Sequence, residues 1–202
     1  MSMSLELIKK FKLDNYLSFF LTKNKAIDAP YHNLYHTFCV IENCFKISKD
    51  ENLSEPEIRI LILAALFHDF NHSQGKETDD KNVKLAQEKF LEASQESNED
   101  NNKIIELILA TQYPYVISDE KLSLSQKILR DADTMQMFEK NFLQQIWVGL
   151  LQQELKKSPK EAVELQLKFM QSAKFYTDYA KKVNKELLPI RIKAFEYIKS
   201  KL

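Results

Sequence analysis

The four histidines of the 202-residue chain, His32, His36, His68 and His72, all lie in its first 72 residues, as two pairs of identical i, i+4 spacing. On a helix that spacing puts both rings of a pair on one face. A single histidine in an apolar stretch is most often a satisfied core residue, but this set, with Asp69 directly after His68, has the composition of a metal site. His68-Asp69 closes the longest apolar run of the chain, Ile60 to Phe67. Burying an imidazole beside a carboxylate is costly unless something replaces their hydration, and a divalent cation does so. Successive residues on a regular helix point about 100° apart, so His68 and Asp69 can share one ion only near a helix end.

Two imidazoles and one carboxylate usually want a further hard ligand. Asp131 and Asp133 interrupt the run Ile128, Leu129, Ala132, Met135, Met137, Phe138 and are the natural suppliers. By angle Asp131 lies beside Ile128 and Met135, and Asp133 beside Leu129, so periodicity alone does not choose between them. The plainer alternative for either is to face solvent or pair with Arg130.

The elements that must position these residues read as helices throughout. Leu5, Ile8, Phe11, Leu13, Leu17, Phe20 and Leu21 recur at three and four, predicting one helix that ends before Asp28-Ala29-Pro30. A second runs from Leu34 to Lys49. The third opens on a capping box, Ser54-Glu55-Pro56-Glu57, and is then apolar on every side, as a central helix is. Further helices are expected over 81–93, 101–112, 124–138 and 141–156, and another after the capping box Ser158-Pro159-Lys160-Glu161. Pro189 is expected to break or kink the last stretch. No repeat and no period-2 strand is evident, so the fold class is an all-α bundle in a single domain, residues 1–202, with a motif-bearing core over 30–140 and additional C-terminal helices over 141–202.

Composition narrows the chemistry. Gly occurs twice, at Gly75 and Gly149, where an average chain of this length carries roughly 14. Glycine-rich dinucleotide loops, phosphate loops and nucleophile elbows cannot be written with two. Lys plus Arg and Asp plus Glu each number 29, leaving no net charge to attract a polyanion, so nucleic acid is not expected as a partner. The N-terminal stretch lacks a signal-peptide pattern and no run reaches membrane length, so no membrane is expected and the expected location is cytoplasmic. Cys39 and Cys44 are too few and wrongly spaced for a zinc ribbon or redox motif and read as buried free thiols.

Taken in order, His36, then His68-Asp69 preceded by LAALF, then an aspartate in the 131–133 stretch form an H…HD…D pattern that resembles the HD superfamily of metal-dependent phosphohydrolases. In that family the last aspartate follows Ala, as in Ala132-Asp133-Thr134-Met135. The resemblance therefore implies His36, His68, Asp69 and Asp133 as metal ligands and leaves Asp131 a supporting or surface residue. Tyr31-His32-Asn33-Leu34-Tyr35-His36 resembles the Y-H-N-x-x-H motif of the cyclic-nucleotide phosphodiesterase branch, and His68 to His72 its H-D-x-x-H. That branch implies His32 as general acid for the leaving oxygen and His72 facing the water or the phosphate. Asn71 stands where the branch has an aspartate, Gly75 comes one place late, and no Gln and aromatic clamp for a purine is identifiable. Asp80-Lys81-Asn82 matches a D-x-N element of small bacterial HD hydrolases, which implies substrate-side roles for Asn82 and Lys81. Lys76, Lys81 and Lys84 are near enough in sequence to hold phosphate charge, although solvated surface lysines are the commoner case.

The resemblance thus implies an HD-domain-like helical bundle and a divalent ion, Mn, Fe, Zn, Ni, Co or Mg. Such an ion makes hydroxide available near neutral pH and neutralises a phosphoryl oxygen. Asp79 and Asp80 could hold the waters of a second, weaker ion, and they also suit helix N-caps. The expected activity is hydrolysis of a small phosphate ester, a nucleotide above all. A non-catalytic HD-fold module that binds metal or nucleotide for regulation is the alternative. A dinuclear HD oxygenase needs later histidines, and none follows His72; the zincin H-E-x-x-H has its Glu replaced by Asp69. Residues 141–202 carry no motif and could cap the site, form a homodimer face or complete the core.

Overall fold

The computed structural model describes residues 3–202; residues 1 and 2, part of the expected domain span, lie outside it. Nine α-helices and one π-helix account for most of the described chain, with no strand among the described residues. In order they are α1 (Met3–Lys10), α2 (Asp14–Lys23), α3 (Leu34–Asp50), α4 (Glu55–Phe67), α5 (Asp79–Ala93), α6 (Asn98–Ala110), α7 (Leu124–Thr134), the π-helix (Leu143–Glu154), α8 (Pro159–Ser172) and α9 (Asp178–Lys199). Short 3-10 turns at Asp119–Lys121 and Met135–Phe138 flank α7.

Helix α4 is the central element that its sequence predicts. Every residue from Leu61 to Phe67 is fully buried, and α2, α3, α5, α6 and α7 pack around it. Its start is fixed by the capping box, where the Ser54 N–H donates to Glu57 Oε2 at 2.9 Å. The box at Ser158 forms likewise, and a third, Ser123 with Gln126, starts α7.

Three expectations are corrected. The single first helix is two, because the Leu13 N–H closes on Ile8 O at 2.9 Å and Lys12 turns left-handed at φ 57°. That is a C-terminal stop usually built on glycine. With few glycines the chain uses Lys12, Asn52, Asn71, Gln74 and Lys156 at positive φ, and the apolar period runs unbroken through the stop because Leu13 is buried as its hydrophobic contact. Pro189 does not end α9, which runs on to Lys199. Pro189 and Lys185 one turn earlier are both exposed, on the side of the helix where a carbonyl left without its N–H partner is open to solvation. The expected helix over 141–156 is a π-helix over Leu143–Glu154, ended by Leu155 N–H bonding to Leu150 O at 2.9 Å. Both cysteines are free on α3, Cys44 buried and Cys39 half-buried.

Candidate metal centre

The two i, i+4 histidine pairs do not sit on helical faces as the spacing predicts. Each pair straddles a helix end. His32 precedes α3, whose N-cap is Asn33, while His68 is the last turn's cap on α4 and His72 lies in the loop beyond. Asn33 explains its own place in the motif: its Oδ1 accepts the His36 N–H at 3.0 Å, and its amide donates to Ala29 O at 2.8 Å. After His68 the chain turns at once, with Phe70 N–H on Phe67 O at 3.0 Å and Asn71 at φ 58°. The histidines are therefore re-sorted across helices: His36 meets His68, and His32 meets His72.

The first cluster sets two buried imidazoles, His36 and His68, against two half-buried carboxylates, Asp69 and Asp133. His36 Nε2 and His68 Nε2 stand 3.2 Å apart, and Asp69 Oδ2 is 3.0 Å from each. Asp133 Oδ1 lies 3.2 Å from His36 Nε2 and 3.9 Å from His68 Nε2. His68 Nδ1 contacts Ala65 O at 2.8 Å; a carbonyl only accepts, so Nδ1 carries the hydrogen and the neutral ring's Nε2 lone pair points into the cluster. His36 Nδ1 is buried without a partner. Burial alone would push His36 down, but the hydrogen bonds and charges of Asp133 and Asp69 lift it to about 10. His68 is likewise raised, with burial opposed by Asp69, and Asp69 is held well below the carboxylate range because His68 and His32 outweigh its burial. The two Nε2 atoms and Asp69 Oδ2 thus face one another, with Asp133 Oδ1 beside His36, an arrangement whose clustered charge a divalent cation would balance. The donor set, imidazole N and carboxylate O, fits a first-row divalent ion.

The second cluster contains a residue the sequence reading did not single out. Glu154, its side chain wholly buried at the end of the π-helix, lies 2.5 Å from His32 Nδ1 and also accepts the Tyr31 and His32 N–H groups at 2.8 and 3.1 Å. These bonds to His32 and Tyr31 outweigh the upward push of burial and hold Glu154 below its ordinary value. A carboxylate accepts only, so His32 Nδ1 carries hydrogen and Nε2 is its free position. Burial pushes His32 below the ordinary histidine value, against the raising charge of Asp69 and Glu154 and with help from His72. The His32 and His72 rings stack at 3.5 Å. The Gln74 N–H donates to His72 Nδ1 at 3.1 Å, so neutral His72 has its hydrogen on Nε2, 3.8 Å from Asp79 Oδ1. One ring offers an acceptor and the other a donor.

Both glycines serve this cluster. A Cβ on Gly149 would sit 2.4 Å from Pro30 O, so the π-helix backbone lies directly on the loop that leads to Tyr31 and His32. Gly75, at φ +77°, would place a Cβ 3.0 Å from Glu154 O. Isolated glycine inside a helical pattern signals a packing requirement, and Gly149 was the one sequence clue to this contact; Glu154 in LLQQEL otherwise reads as helix surface.

The remaining expected residues are placed as follows. Asp131 is fully buried and neither faces solvent nor pairs with Arg130; its carboxylate accepts from Tyr176 N, Thr177 N and Thr177 Oγ1 at 2.7–3.1 Å and so ties α7 to the start of α9. Lys81 is exposed and paired with Glu77 at 2.6 Å. Asn82 is buried and its Oδ1 accepts the Ser73 N–H at 3.0 Å, shaping the loop after His72. Thr78, not Asp79 or Asp80, is the N-cap of α5.

An all-α bundle that brings His36 of α3, His68 and Asp69 at the end of α4 and Asp133 of α7 together defines a class. The HD domain family model matches residues 33–137, just over half of the chain, and the chain belongs to that family. No functionally curated protein matches. Among solved structures, the chain resembles a predicted HD superfamily hydrolase from an uncultured Thermotogales bacterium, at TM-score 0.54 and 21% identity over 92% of this chain and 90% of that one. It also resembles Bacillus subtilis YpgQ, solved in complex with ADP, at TM-score 0.62 and 16% identity over 95% and 97%. At these identities the two share the fold. No helix among the described residues is long and apolar enough to cross a membrane.

Proposed function

We propose that this chain is a metal-dependent phosphohydrolase of a small phosphate ester, a nucleotide in particular, with the ion held by His36, His68, Asp69 and Asp133. The observation that supports the reading is the placement of one carboxylate oxygen each from Asp69 and Asp133 within 3.0–3.9 Å of the facing Nε2 atoms of buried His36 and His68. A divalent ion there supplies Lewis acidity towards a phosphoryl oxygen and acidifies water. The chain's own side chains handle the protons. Glu154 fixes the His32 hydrogen on Nδ1, leaving Nε2 to exchange a proton with the reaction. Because burial holds His32 neutral near pH 7, it takes a proton from the attacking water and returns it to the leaving oxygen. The order differs from the resting imidazolium that a pure general acid requires. His72, with its hydrogen on Nε2, donates to a phosphoryl oxygen beside it. The ADP bound to YpgQ, which shares the fold, supports a nucleotide as the ester.

The test is phosphate release from a panel of nucleotides and simple phosphate esters by protein stripped of metal and reloaded with Mn, Mg, Co, Ni or Zn. Turnover with at least one metal is expected, lost together with the metal in Asp69→Ala. In His32→Ala the metal is expected to stay while esters with poor leaving groups slow most. Full metal content in Asp69→Ala, or no release from any pairing of substrate and metal, overturns the proposal.

A further inference from the structure

Of the four proposed ligands, Asp133 has the least to aim it. His68 is fixed through Nδ1 on Ala65 O, and Asp69 Oδ2 lies 3.0 Å from both His36 and His68. Asp133, with its side chain 32% exposed, reaches the cluster at 3.2 Å from His36 Nε2 and 3.9 Å from His68 Nε2. Its direction therefore follows the backbone of α7. Asp133 stands in the last turn of that helix, where α-helical winding passes into the 3-10 turn Met135–Phe138. Carbonyls of a last turn lack the intrahelical partners found further back, and their position depends on what else they bond.

Asn43 supplies such a bond. Its Nδ2 donates to Ala132 O at 3.3 Å, on the residue directly before Asp133. Asn43 lies on α3 seven residues after His36, which puts the two side chains on one face, two turns apart. Val40 and Ile47 on the same face are fully buried, and Asn43 itself is 2% exposed. An amide in such a stripe carries a desolvation cost that a leucine of similar size would avoid, and the bond to Ala132 O offsets it. That bond ties the turn carrying Asp133 to the helix carrying His36. The Asp131 carboxylate holds the same turn to Tyr176 and Thr177, so the backbone just ahead of Asp133 is gripped twice, by α3 and by the start of α9.

We infer that Asn43 is a positioning residue of the metal centre: through the Ala132 carbonyl it sets where Asp133 presents its carboxylate to His36 and the ion. The inference rests on the reading of His36, His68, Asp69 and Asp133 as ligands. Asn43 supplies no ligand atom in this role, so its whole effect on the metal passes through Asp133. Residues that orient a ligand without binding the metal change its affinity by about 10–100-fold when they are removed.

The experiment measures Zn²⁺ affinity, by competition with a chromophoric chelator, in four forms of the full chain: wild type, Asn43→Leu, Asp133→Ala and the double variant. Zinc binds nitrogen and oxygen ligands more tightly than manganese, which keeps the weakened sites measurable. Asp133→Ala is expected to weaken zinc. Asn43→Leu is expected to weaken it by about 10–100-fold in the wild-type background and by about twofold or less once Asp133 is gone. A merely structural role lowers the melting temperature of the metal-free protein but does not make the metal effect depend on Asp133. Equal weakening in both backgrounds, or unchanged affinity in Asn43→Leu, overturns the inference and leaves the ligand set standing. Zinc bound by Asp133→Ala as tightly as by wild type overturns Asp133 as a ligand and the inference with it. Asn43→Ala repeats the comparison without a branched apolar side chain, so a leucine variant that fails to fold leaves the test intact.

Discussion

Glu154 Oε2 holds His32 Nδ1 at 2.5 Å across a sequence separation of 122 residues, an interval that contains His36, His68, Asp69 and Asp133. The C-terminal third, which carries no motif, thus closes onto the first residue of the constellation. A carboxylate in that place fixes the tautomer and stabilises the imidazolium that forms as His32 takes a proton.

Glu154→Gln keeps a carbonyl oxygen for the backbone N–H groups but removes the charge. We expect kcat to fall by about 10²-fold or more with the metal content unchanged. Because the lost anion favoured the charged ring, the His32 pKa moves further down and the acid limb of the rate profile moves to lower pH. A merely structural role for Glu154 would lower the melting temperature and leave the profile in place, so the profile decides the matter.

Metal loading is expected to release protons. In the metal-free protein the Asp133 and Asp69 contacts lift His36 to about 10 against its burial, so at neutral pH an incoming ion displaces a proton from the ring. Affinity then rises with pH, by about tenfold per pH unit for each proton displaced. Titration of Mn²⁺ into weakly buffered protein at pH 7 reads this directly as acidification. Binding with no proton release, or an affinity flat between pH 6 and 8, would show that His36 is not a ligand.

How much of this was legible in the sequence differs by residue. The helical bundle and the central place of α4 follow from ILILAALF, whose apolar residues allow no solvent face. His68 and Asp69 can share a point only at a helix end, and α4 does end there. The i, i+4 pairing of the histidines misled, because the same spacing serves two rings on one helix or two residues either side of a cap, and the Asn33 N-cap and the turn at Asn71 decide the two cases. Periodicity could not separate Asp131 from Asp133, since both are near the apolar face; the resemblance favours Asp133, and the bonds that Asp131 accepts from Tyr176 and Thr177, 45 residues away and more, account for the burial of the other. Glu154 was hidden for a related reason. Its burial comes from the wider winding of the π-helix and from the approach to Pro30, neither of which leaves a periodic trace.

That approach yields a prediction about the glycines. A methyl on Gly149 would lie 2.4 Å from Pro30 O, and one on Gly75 would meet Glu154 O at 3.0 Å from a backbone at φ +77°. Gly149→Ala must push the π-helix away from the loop of Tyr31 and His32, an overpacking that costs about 1–3 kcal/mol. Gly75→Ala adds backbone strain of about 1–3 kcal/mol. Both are expected to lower kcat by displacing Glu154 from His32 while the metal, held by α3, α4 and α7, stays bound. Melting curves and metal analysis on the two variants check this. Loss of metal alongside activity would show that the π-helix supports the whole centre rather than His32 alone.

The last prediction concerns stability away from the metal. Arg59 on α4 grips Glu96 with two bonds of 2.7 Å, and the Tyr16 hydroxyl donates to the same carboxylate at 2.6 Å, locking α2, α4 and the start of α6 together. The Arg59 hydrogen bonds hold Glu96 below its ordinary value of 4.5, against partial burial. On acidification the unfolded chain therefore takes up this proton before the folded one does. The stabilisation is complete above about pH 4.5 and drains as pH falls through the lower folded value. Partly exposed charged hydrogen bonds of this kind contribute about 1–3 kcal/mol after screening. Urea unfolding of wild type and Glu96→Gln should show that difference at pH 7, shrinking as the pH falls below about 4.5 and through the lower folded value. A gap that stays constant across the range would mean that the carboxylate's charge does not contribute and that only the shape of the Arg59, Tyr16 and Glu96 contact matters.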